Sequence, residues 1–365
     1  MTLPERPPPR RLTPTARAHL GRIASALLWR TLHPTERGPF VEAAPPGAAR
    51  RLYYTASDGW RAPVFRIDPP PGPWPIGAGE PVLLAHGLTA GPDLFRYGER
   101  SLVASLREAG FAVYLWTHRA DRQAVAPPGG RSRDRTVERI VERDLPPALE
   151  VVAEHSGFQR VHLVGHGLGG LLALAAGSRR EPRLASVVAL GAPLELPELR
   201  PDGAALTRLL SWLPASWPVP LRTAARLTAP LLGGRMASDL APRSPSARVR
   251  GALLYAVEDP PVALVQVVRG WMRSGAPALY GGAVELCEGL AAADVPLLVV
   301  TATDDPICPP DVGERALGRW GHADRTALRA SGSHLDLVLG SDAPAEVFDP
   351  VARWIGDRRR RSWSA

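Results

Sequence analysis

Two residues near the end of the chain have side chains suited to proton transfer. His334 lies in the stretch SGSHLDL, and Asp305 lies before it in TDDPICPP. A histidine that is oriented by a carboxylate can act as a general base toward a hydroxyl group or a water molecule. Asp305 follows the strand-like run VPLLVVTA and His334 follows RTALRA, so each is predicted just beyond the end of a strand.

A third strand-like run leads into VHLVGHGLGG at residues 161–170, and the helix-like run LLALAAG leaves it. A sharp turn between a strand and a helix can present a nucleophile, and here the nucleophile position is Gly167. The chain order of nucleophile position, acid and histidine is the one expected for such a turn. Glycine has no side chain, so Gly167 cannot be acylated.

Backbone N–H groups at two turns could stabilise negative charge on a substrate oxygen. Gly87 permits a tight turn after the strand PVLLAH, so that the N–H of Leu88 can point inward. Together with the N–H of Leu168 it would form an oxyanion hole. His86, Gly87 and His166 are expected to support these turns.

The same glycines also fit a dinucleotide-binding pattern. Gly165, Gly167 and Gly170 match G-x-G-x-x-G between a strand and a helix. That interpretation requires an acidic residue at the end of the next strand, to bind the ribose hydroxyls. The next strand ends in VVALGAP, with Gly191 and Pro193 in the required place. The nucleophile turn is therefore favoured, and dinucleotide binding stays an alternative.

Strand-like and helix-like runs alternate from residue 81 to a last helix predicted within 343–358. The strands are almost continuously apolar, which is typical of a parallel sheet covered by helices on both faces. Residues 51–67 predict a hairpin before this alternation begins. The expected fold class is α/β, with a mostly parallel central sheet flanked by helices.

The pattern changes between residues 194 and 290, where helical runs are interrupted by prolines and contain tryptophans among leucines. We interpret this segment as a helical cap, or lid, inserted at the carboxyl edge of the sheet. The α/β core then consists of residues 48–193 and 291–365. An apolar cavity beneath the cap is one explanation for its aromatic residues, and core packing is the other.

Residues 1–47 form an N-terminal extension with an amphipathic helix predicted within 15–32. One interpretation packs this helix on the main domain. The other places a basic helix on a membrane surface, as a peripheral contact.

The composition excludes several kinds of chemistry. The chain of 365 residues has a net charge of +8 and no lysine, which rules out a Schiff base, a Walker-type phosphate lysine and a Ser–Lys dyad. Its arginines are scattered without interleaved aromatic residues, so no nucleic-acid partner is expected. Two cysteines make no disulfide framework, and the expected compartment is the cytoplasm. No metal site and no cofactor are predicted.

At these residues the chain resembles the α/β-hydrolases, and within them the acid-lipase branch of lipases and esterases. The motifs are LLAHGL, RDLPPALEVVAEHSG before VHLVGHGLGG, TDDPICPPDV and HLDLVLGSDAP. The resemblance implies the α/β-hydrolase fold, with Asp305 as the acid, His334 as the base, and Leu88 and Leu168 as oxyanion donors. Relatives have serine at the elbow, or cysteine where they polymerise hydroxyacyl groups, whereas this chain has Gly167.

Three functional hypotheses follow. The first is a disarmed hydrolase that binds a small acyl or lipid-like ligand without forming an acyl-enzyme. The second is an enzyme without a nucleophile, in which His334 and Asp305 activate water or remove a substrate proton. The third is an active serine ester hydrolase whose natural residue 167 is serine. Ser331, Ser333 and Cys308 are small nucleophilic residues near the acid and base, but none is predicted on an elbow.

Overall fold

An eight-stranded sheet forms the core of the described part of the chain. The computed structural model describes residues 49–76, 78–96, 101–131, 134–196, 218–219, 221, 241–244, 256–279 and 284–359. The strands are β1 (Ala49–Thr55), β2 (Arg61–Ile67), β3 (Pro81–Ala85), β4 (Ala112–Trp116), β5 (Val161–His166), β6 (Leu184–Leu190), β7 (Ala278–Leu279), β8 (Val284–Glu285), β9 (Leu297–Ala302) and β10 (Arg325–Ala330). In the large sheet they lie in the order β1-β2-β4-β3-β5-β6-β9-β10.

Helices connect the strands. They are α1 (Leu102–Glu108), α2 (Val137–Arg139), α3 (Leu145–Ser156), α4 (Leu168–Ser178), α5 (Val262–Ser274), α6 (Pro310–Gly313), α7 (Arg315–Arg319), α8 (Asp336–Leu339) and α9 (Asp349–Arg359). Short 3₁₀ segments cover Pro92–Arg96 and Leu290–Ala292, and π-helical turns cover Ile140–Asp144 and Pro344–Phe348.

The pairing of the strands confirms the predicted α/β class. Strands β1 and β2 form the predicted antiparallel hairpin, and β2 also pairs antiparallel with β4. All other neighbours in this sheet are parallel, from β4 across to β10. The carboxyl ends of the parallel strands therefore lie along one edge.

The central strands are buried along their whole length, as their apolar sequences predict. Every residue of β3, β4, β5 and β9 is buried. Two hydrophobic clusters lie in the core, and residues of β5 alternate between them: Leu163 belongs to one cluster and Val164 to the other. This packing holds the carboxyl ends of the strands, which carry the candidate site, on a rigid support.

Helix α3 is preceded by a π-helical turn, Ile140–Asp144, that the sequence analysis did not predict. The N–H of Leu145 donates to the carbonyl of Ile140, five residues earlier. Pro146 and Pro147 follow immediately and have no N–H to donate to the preceding turn, so the regular α-helical pattern is broken there. The second π-helical turn, Pro344–Phe348, is likewise followed by a proline, Pro350.

Only parts of segment 194–290 belong to the described residues. Helix α5 and the antiparallel pair β7–β8 lie within it. Glu258 donates its backbone N–H to the carbonyl of Thr89, and Gly91 donates to that of Ala256. These contacts attach the segment to the loop after β3, while its role as a cap stays a prediction.

The N-terminal extension, including the helix predicted within 15–32, lies outside the described residues, so both interpretations of it remain predictions. Among the described helices, none combines the length and apolar character needed to cross a membrane.

Candidate active site

Asp305 and His334 come together beyond the ends of β9 and β10, as predicted. Nδ1 of His334 lies 2.7 Å from Oδ2 of Asp305, and both residues are buried. The other carboxylate oxygen of Asp305 accepts the backbone N–H groups of Ile307 and Cys308, at 2.7 and 2.9 Å. Burial favours a higher pKa for Asp305, but the hydrogen bond and charge of His334 and these N–H groups lower it below the usual value. The carboxylate is thus held ionised and aimed at the imidazole.

Gly167 occupies the turn between β5 and α4, opposite the histidine. Its φ is +56° and its ψ is −116°, a conformation that side-chain-bearing residues rarely adopt. Its N–H donates to the carbonyl of Leu190, at 2.9 Å, and its carbonyl accepts from Leu171, at 3.1 Å. A Cβ placed on Gly167 would lie 3.4 Å from Nε2 of His334, in ordinary van der Waals contact. The backbone therefore points position 167 at Nε2 of His334, the ring nitrogen that does not face Asp305.

The neighbouring glycines of the turn, Gly169 and Gly170, are required for close packing. A Cβ on Gly169 would overlap the carbonyl of Ala85 and lie 2.7 Å from the carbonyl oxygen of His86. A Cβ on Gly170 would lie 2.7 Å from the methyl group of Ala192. These glycines let α4 pack tightly on the sheet, and nothing in the contacts requires a phosphate ligand.

The two predicted oxyanion donors lie at the same edge of the sheet. Leu168 is the first residue of α4, and the first N–H groups of a helix have no acceptor within the helix. Leu88 follows Gly87, whose Cα lies 4.0 Å from the position of a Cβ on Gly167. The turns that carry both N–H groups are therefore adjacent, and their role as an oxyanion hole stays a prediction.

His166 supports the catalytic histidine candidate directly. Its Nε2 lies 3.1 Å from the backbone carbonyl of His334, and the two ring centroids are 4.6 Å apart. Burial, together with the charge of His334, lowers the pKa of His166 to about 3, so that its ring is neutral. A neutral ring that donates to the carbonyl of His334 fixes the backbone of the loop without placing a second cation at the site.

The other small nucleophilic residues do not replace a serine at the elbow. Cys308 is fully buried, and burial raises the pKa of its thiol, with the charges of Asp305 and Asp311 adding to the effect. The hydroxyl of Ser331 donates to Glu346 at 3.2 Å. Ser333 is buried in the turn that precedes α8.

One group of residues at this edge was missed by the sequence analysis. His118 and Asp121, in the loop after β4, lie against His86 in the loop after β3. The signal was present in the stretch THRAD, which directly follows an apolar strand. The sequence does not reveal that β4 and β3 are neighbours, and so it did not bring these side chains together.

In the same loop, Arg119 forms a buried ion-pair network with Asp144 and Asp58. Its guanidinium lies 2.7 Å from Asp144 and 2.8 Å from Asp58. Burial alone would lower the pKa of Arg119, but the two carboxylates raise it further above its ordinary range. The network ties the loop after β4 to the π-helical turn before α3 and to the turn of the β1–β2 hairpin.

The sheet order and the strand-turn-helix elbow define the α/β-hydrolase fold. The chain belongs to the Hydrolase_4 family, described as serine aminopeptidase, S33, and residues 79–334 match it. This membership confirms the resemblance stated from the motifs and gives no support to the dinucleotide alternative.

Similar proteins include polymerases and lipases. The chain is 22% identical over 320 residues to a poly(3-hydroxyalkanoate) polymerase subunit, PhaC, of Allochromatium vinosum, covering 81% of this chain and 85% of that protein. It is 29% identical over 134 residues to a tear acid lipase-like protein of Mesocricetus auratus, covering 34% of this chain and 33% of the relative. A putative aryl esterase from Burkholderia cenocepacia has the same fold, with a TM-score of 0.56 at 18% identity, over 87% of this chain and all (100%) of the other.

Proposed function

We propose that this protein is a disarmed hydrolase, which binds a small acyl or lipid-like ligand at a complete Asp–His pair but forms no acyl-enzyme. The observation that carries the proposal is Gly167, which lies on the elbow facing His334 and has no side chain to acylate. The similarity to a poly(3-hydroxyalkanoate) polymerase subunit and to an acid lipase-like protein supports an acyl ligand.

The elbow conformation explains why glycine is favourable once acylation is not needed. A residue with a side chain in this region of φ and ψ costs about 1–3 kcal/mol. Glycine adopts the same conformation without that cost. The substitution therefore stabilises the fold while it removes the nucleophile.

The direct test restores the missing side chain. In Gly167→Ser the hydroxyl oxygen, one bond beyond Cβ, comes within reach of Nε2 of His334. Loss of a triad nucleophile costs about 10⁶-fold in kcat in a serine protease, so we expect the variant to gain at least about 10³-fold on p-nitrophenyl butyrate or laurate. A fluorophosphonate probe should label Gly167→Ser and leave the chain with Gly167 unlabelled.

Two controls make this test decisive. Adding His334→Ala to Gly167→Ser should remove both the gained turnover and the labelling. Titration calorimetry of the chain with Gly167 against dodecanoate should show binding. Labelling of the chain with Gly167 would reveal a nucleophile elsewhere, and a folded Gly167→Ser variant that stays inert and unlabelled would contradict a disarmed site.

A second candidate function is hydrolysis by a directly activated water molecule. The observation in its favour is the intact hydrogen bond between Asp305 and His334, with Nε2 facing position 167. A water molecule bound where a serine hydroxyl would lie could give its proton to Nε2 and attack an ester carbonyl. Turnover by the chain with Gly167 that His334→Ala abolishes would support this function, and turnover unchanged by His334→Ala would contradict it.

A further inference from the structure

Three buried residues form a cluster next to the loop that carries Leu88. His86 follows β3, and His118 and Asp121 follow the neighbouring strand β4. All three are buried, with exposed fractions of 2%, 3% and 4%. One ligand atom from each lies within 4.8 Å of the other two.

The hydrogen bonds of His86 determine where its protons lie. Its Nδ1 is 2.9 Å from the backbone carbonyl of Gly87. A carbonyl oxygen only accepts, so Nδ1 carries a proton. The Nε2 atom of the same ring lies 3.2 Å from Oδ2 of Asp121, which also only accepts. A neutral imidazole would therefore turn a lone pair toward a carboxylate, and this contact requires a cation between the two atoms, either a proton or a metal ion.

The surroundings of His118 indicate whether this cation is a proton or a metal ion. Neither of its ring nitrogens forms a hydrogen bond with any group in the described part of the chain, although both are buried. Its Nδ1 lies 3.5 Å from the same Oδ2 of Asp121, and its ring centroid is 4.8 Å from that of His86. A proton shared between His86 and Asp121 leaves His118 without a partner, which is costly for a buried polar group.

The two distances to Oδ2 of Asp121 fit a metal ion better than a shared proton. Charge-assisted hydrogen bonds are about 2.7–2.9 Å long. Ligands of a tetrahedral zinc ion, each about 2.0–2.1 Å from the metal, lie roughly 3.3–3.4 Å apart. The observed separations of 3.2 and 3.5 Å to Oδ2 of Asp121 lie on either side of that value. The bond from Nδ1 of His86 to the Gly87 carbonyl is also the outer contact that a metal-ligating histidine usually makes.

We propose that His86, His118 and Asp121 bind a divalent transition metal ion, with zinc the best match to two imidazoles and one carboxylate. The ion would hold His86 in place, and His86 would hold the carbonyl of Gly87. The carbonyl and N–H of a trans peptide point in opposite directions, so this contact also sets the direction of the Leu88 N–H. This last consequence rests on the proposed function of Leu88, whereas metal binding does not.

The test measures metal binding without any activity assay. Full-length protein without a histidine tag is stripped with a chelator and then titrated with Zn²⁺ by calorimetry and with Co²⁺ by visible absorption. We expect one ion per chain with a dissociation constant at or below about 1 μM, Co²⁺ bands typical of a four- or five-coordinate site, and a raised thermal midpoint.

Variants assign the binding to this cluster. Asp121→Asn and His118→Gln should each weaken Zn²⁺ binding at least about 10-fold, whereas His155→Gln, a half-buried histidine elsewhere, should bind as tightly as the parent. A second variant is needed because Asp121 also accepts the backbone N–H of His118, so that changing Asp121 could impair folding. His118→Gln leaves that backbone hydrogen bond in place. Binding that survives both substitutions, or no binding at 100 μM Zn²⁺ (on the order of 100 times the expected constant), would overturn the proposal and leave His86 as an imidazolium paired with Asp121.

Discussion

Gly167 and Gly169 lie two residues apart in the same turn, yet their surroundings are opposite. A Cβ on Gly169 would overlap the carbonyl of Ala85, whereas the described atom nearest to a Cβ on Gly167 is Nε2 of His334, at 3.4 Å. The helix side of the turn is closed by the sheet, and the side facing the histidine is open. The motif GHGLGG therefore contains glycines required by packing and one that packing does not require.

Because of this difference, position 167 can hold glycine or serine while the elbow keeps its geometry. Strand β5, helix α4 and the contact with β3 depend on Gly165, Gly169 and Gly170, and none of these contacts involves position 167. A change between serine and glycine at 167 therefore leaves the packing of the elbow intact. Placing the same methyl group at positions 167 and 169 in turn separates backbone strain from steric overlap.

Gly169→Ala should destabilise the protein more than any other single substitution at the elbow. The new methyl group would overlap the Ala85 carbonyl, and neither backbone segment can move without separating α4 from the sheet. We expect a loss of about 4 kcal/mol or more in the free energy of unfolding, or failure to fold. Urea denaturation followed by circular dichroism measures it. A Gly169→Ala protein as stable as the parent would show that the elbow is not closed by the sheet.

A smaller loss is expected for Gly167→Ala, because only backbone strain opposes it. We expect about 1–3 kcal/mol, measured by the same denaturation. The matched control is Gly157→Ala at the end of α3, where φ is +78° and, beyond the two chain neighbours, no atom of the described residues lies within 4 Å of the new Cβ. That ordinary left-handed position should cost about 1–2 kcal/mol. If Gly167→Ala were as stable as the parent protein, strain would not explain the preference for glycine at the elbow.

The sequence predicted the parts of this molecule that depend on local pattern. Apolar runs gave the central strands, and their order along the chain placed Gly167, Asp305 and His334 at strand ends. The structure brings these three together because β5, β6, β9 and β10 are consecutive parallel neighbours. Site residues at the ends of strands can be predicted from sequence, because all parallel strands of a sheet have their carboxyl ends at the same edge.

Contacts that depend on sheet order or on close approach of distant backbone segments could not be predicted from local sequence pattern. The different roles of Gly167 and Gly169 depend on the carbonyl of Ala85, which belongs to a strand far away in sequence. The group of His118 with His86 likewise depends on the pairing of β3 with β4. The π-helical turn at Ile140–Asp144 arises from the two prolines after it, a local signal that was present but not interpreted.

The smallest expected effect concerns His162 in β5, the strand that leads into the elbow. Its ring is buried, its Nδ1 lies 2.8 Å from the hydroxyl of Ser186, and burial lowers its pKa to about 4, with the charge of Arg358 adding to the effect. In the unfolded chain a histidine has a pKa near 6.5, so between about pH 6.5 and 4 the unfolded state binds more protons. The stability contributed by the neutral ring is complete above pH 6.5 and is lost as the pH falls toward 4.

The unfolding free energy of the parent protein should fall as the pH is lowered from about 6.5 to 4. His162→Gln should reduce this slope by up to about 1.4 kcal/mol per pH unit. Urea denaturation at pH 7, 6 and 5 measures this slope. Ser186→Ala is the matched control, because it removes the hydrogen bond but keeps the buried ring, and it should decline as steeply as the parent protein. If Ser186→Ala reduced the slope as much as His162→Gln, the hydrogen bond rather than burial would set the pKa of His162. The interior beneath the elbow would then be more hydrated than its packing indicates.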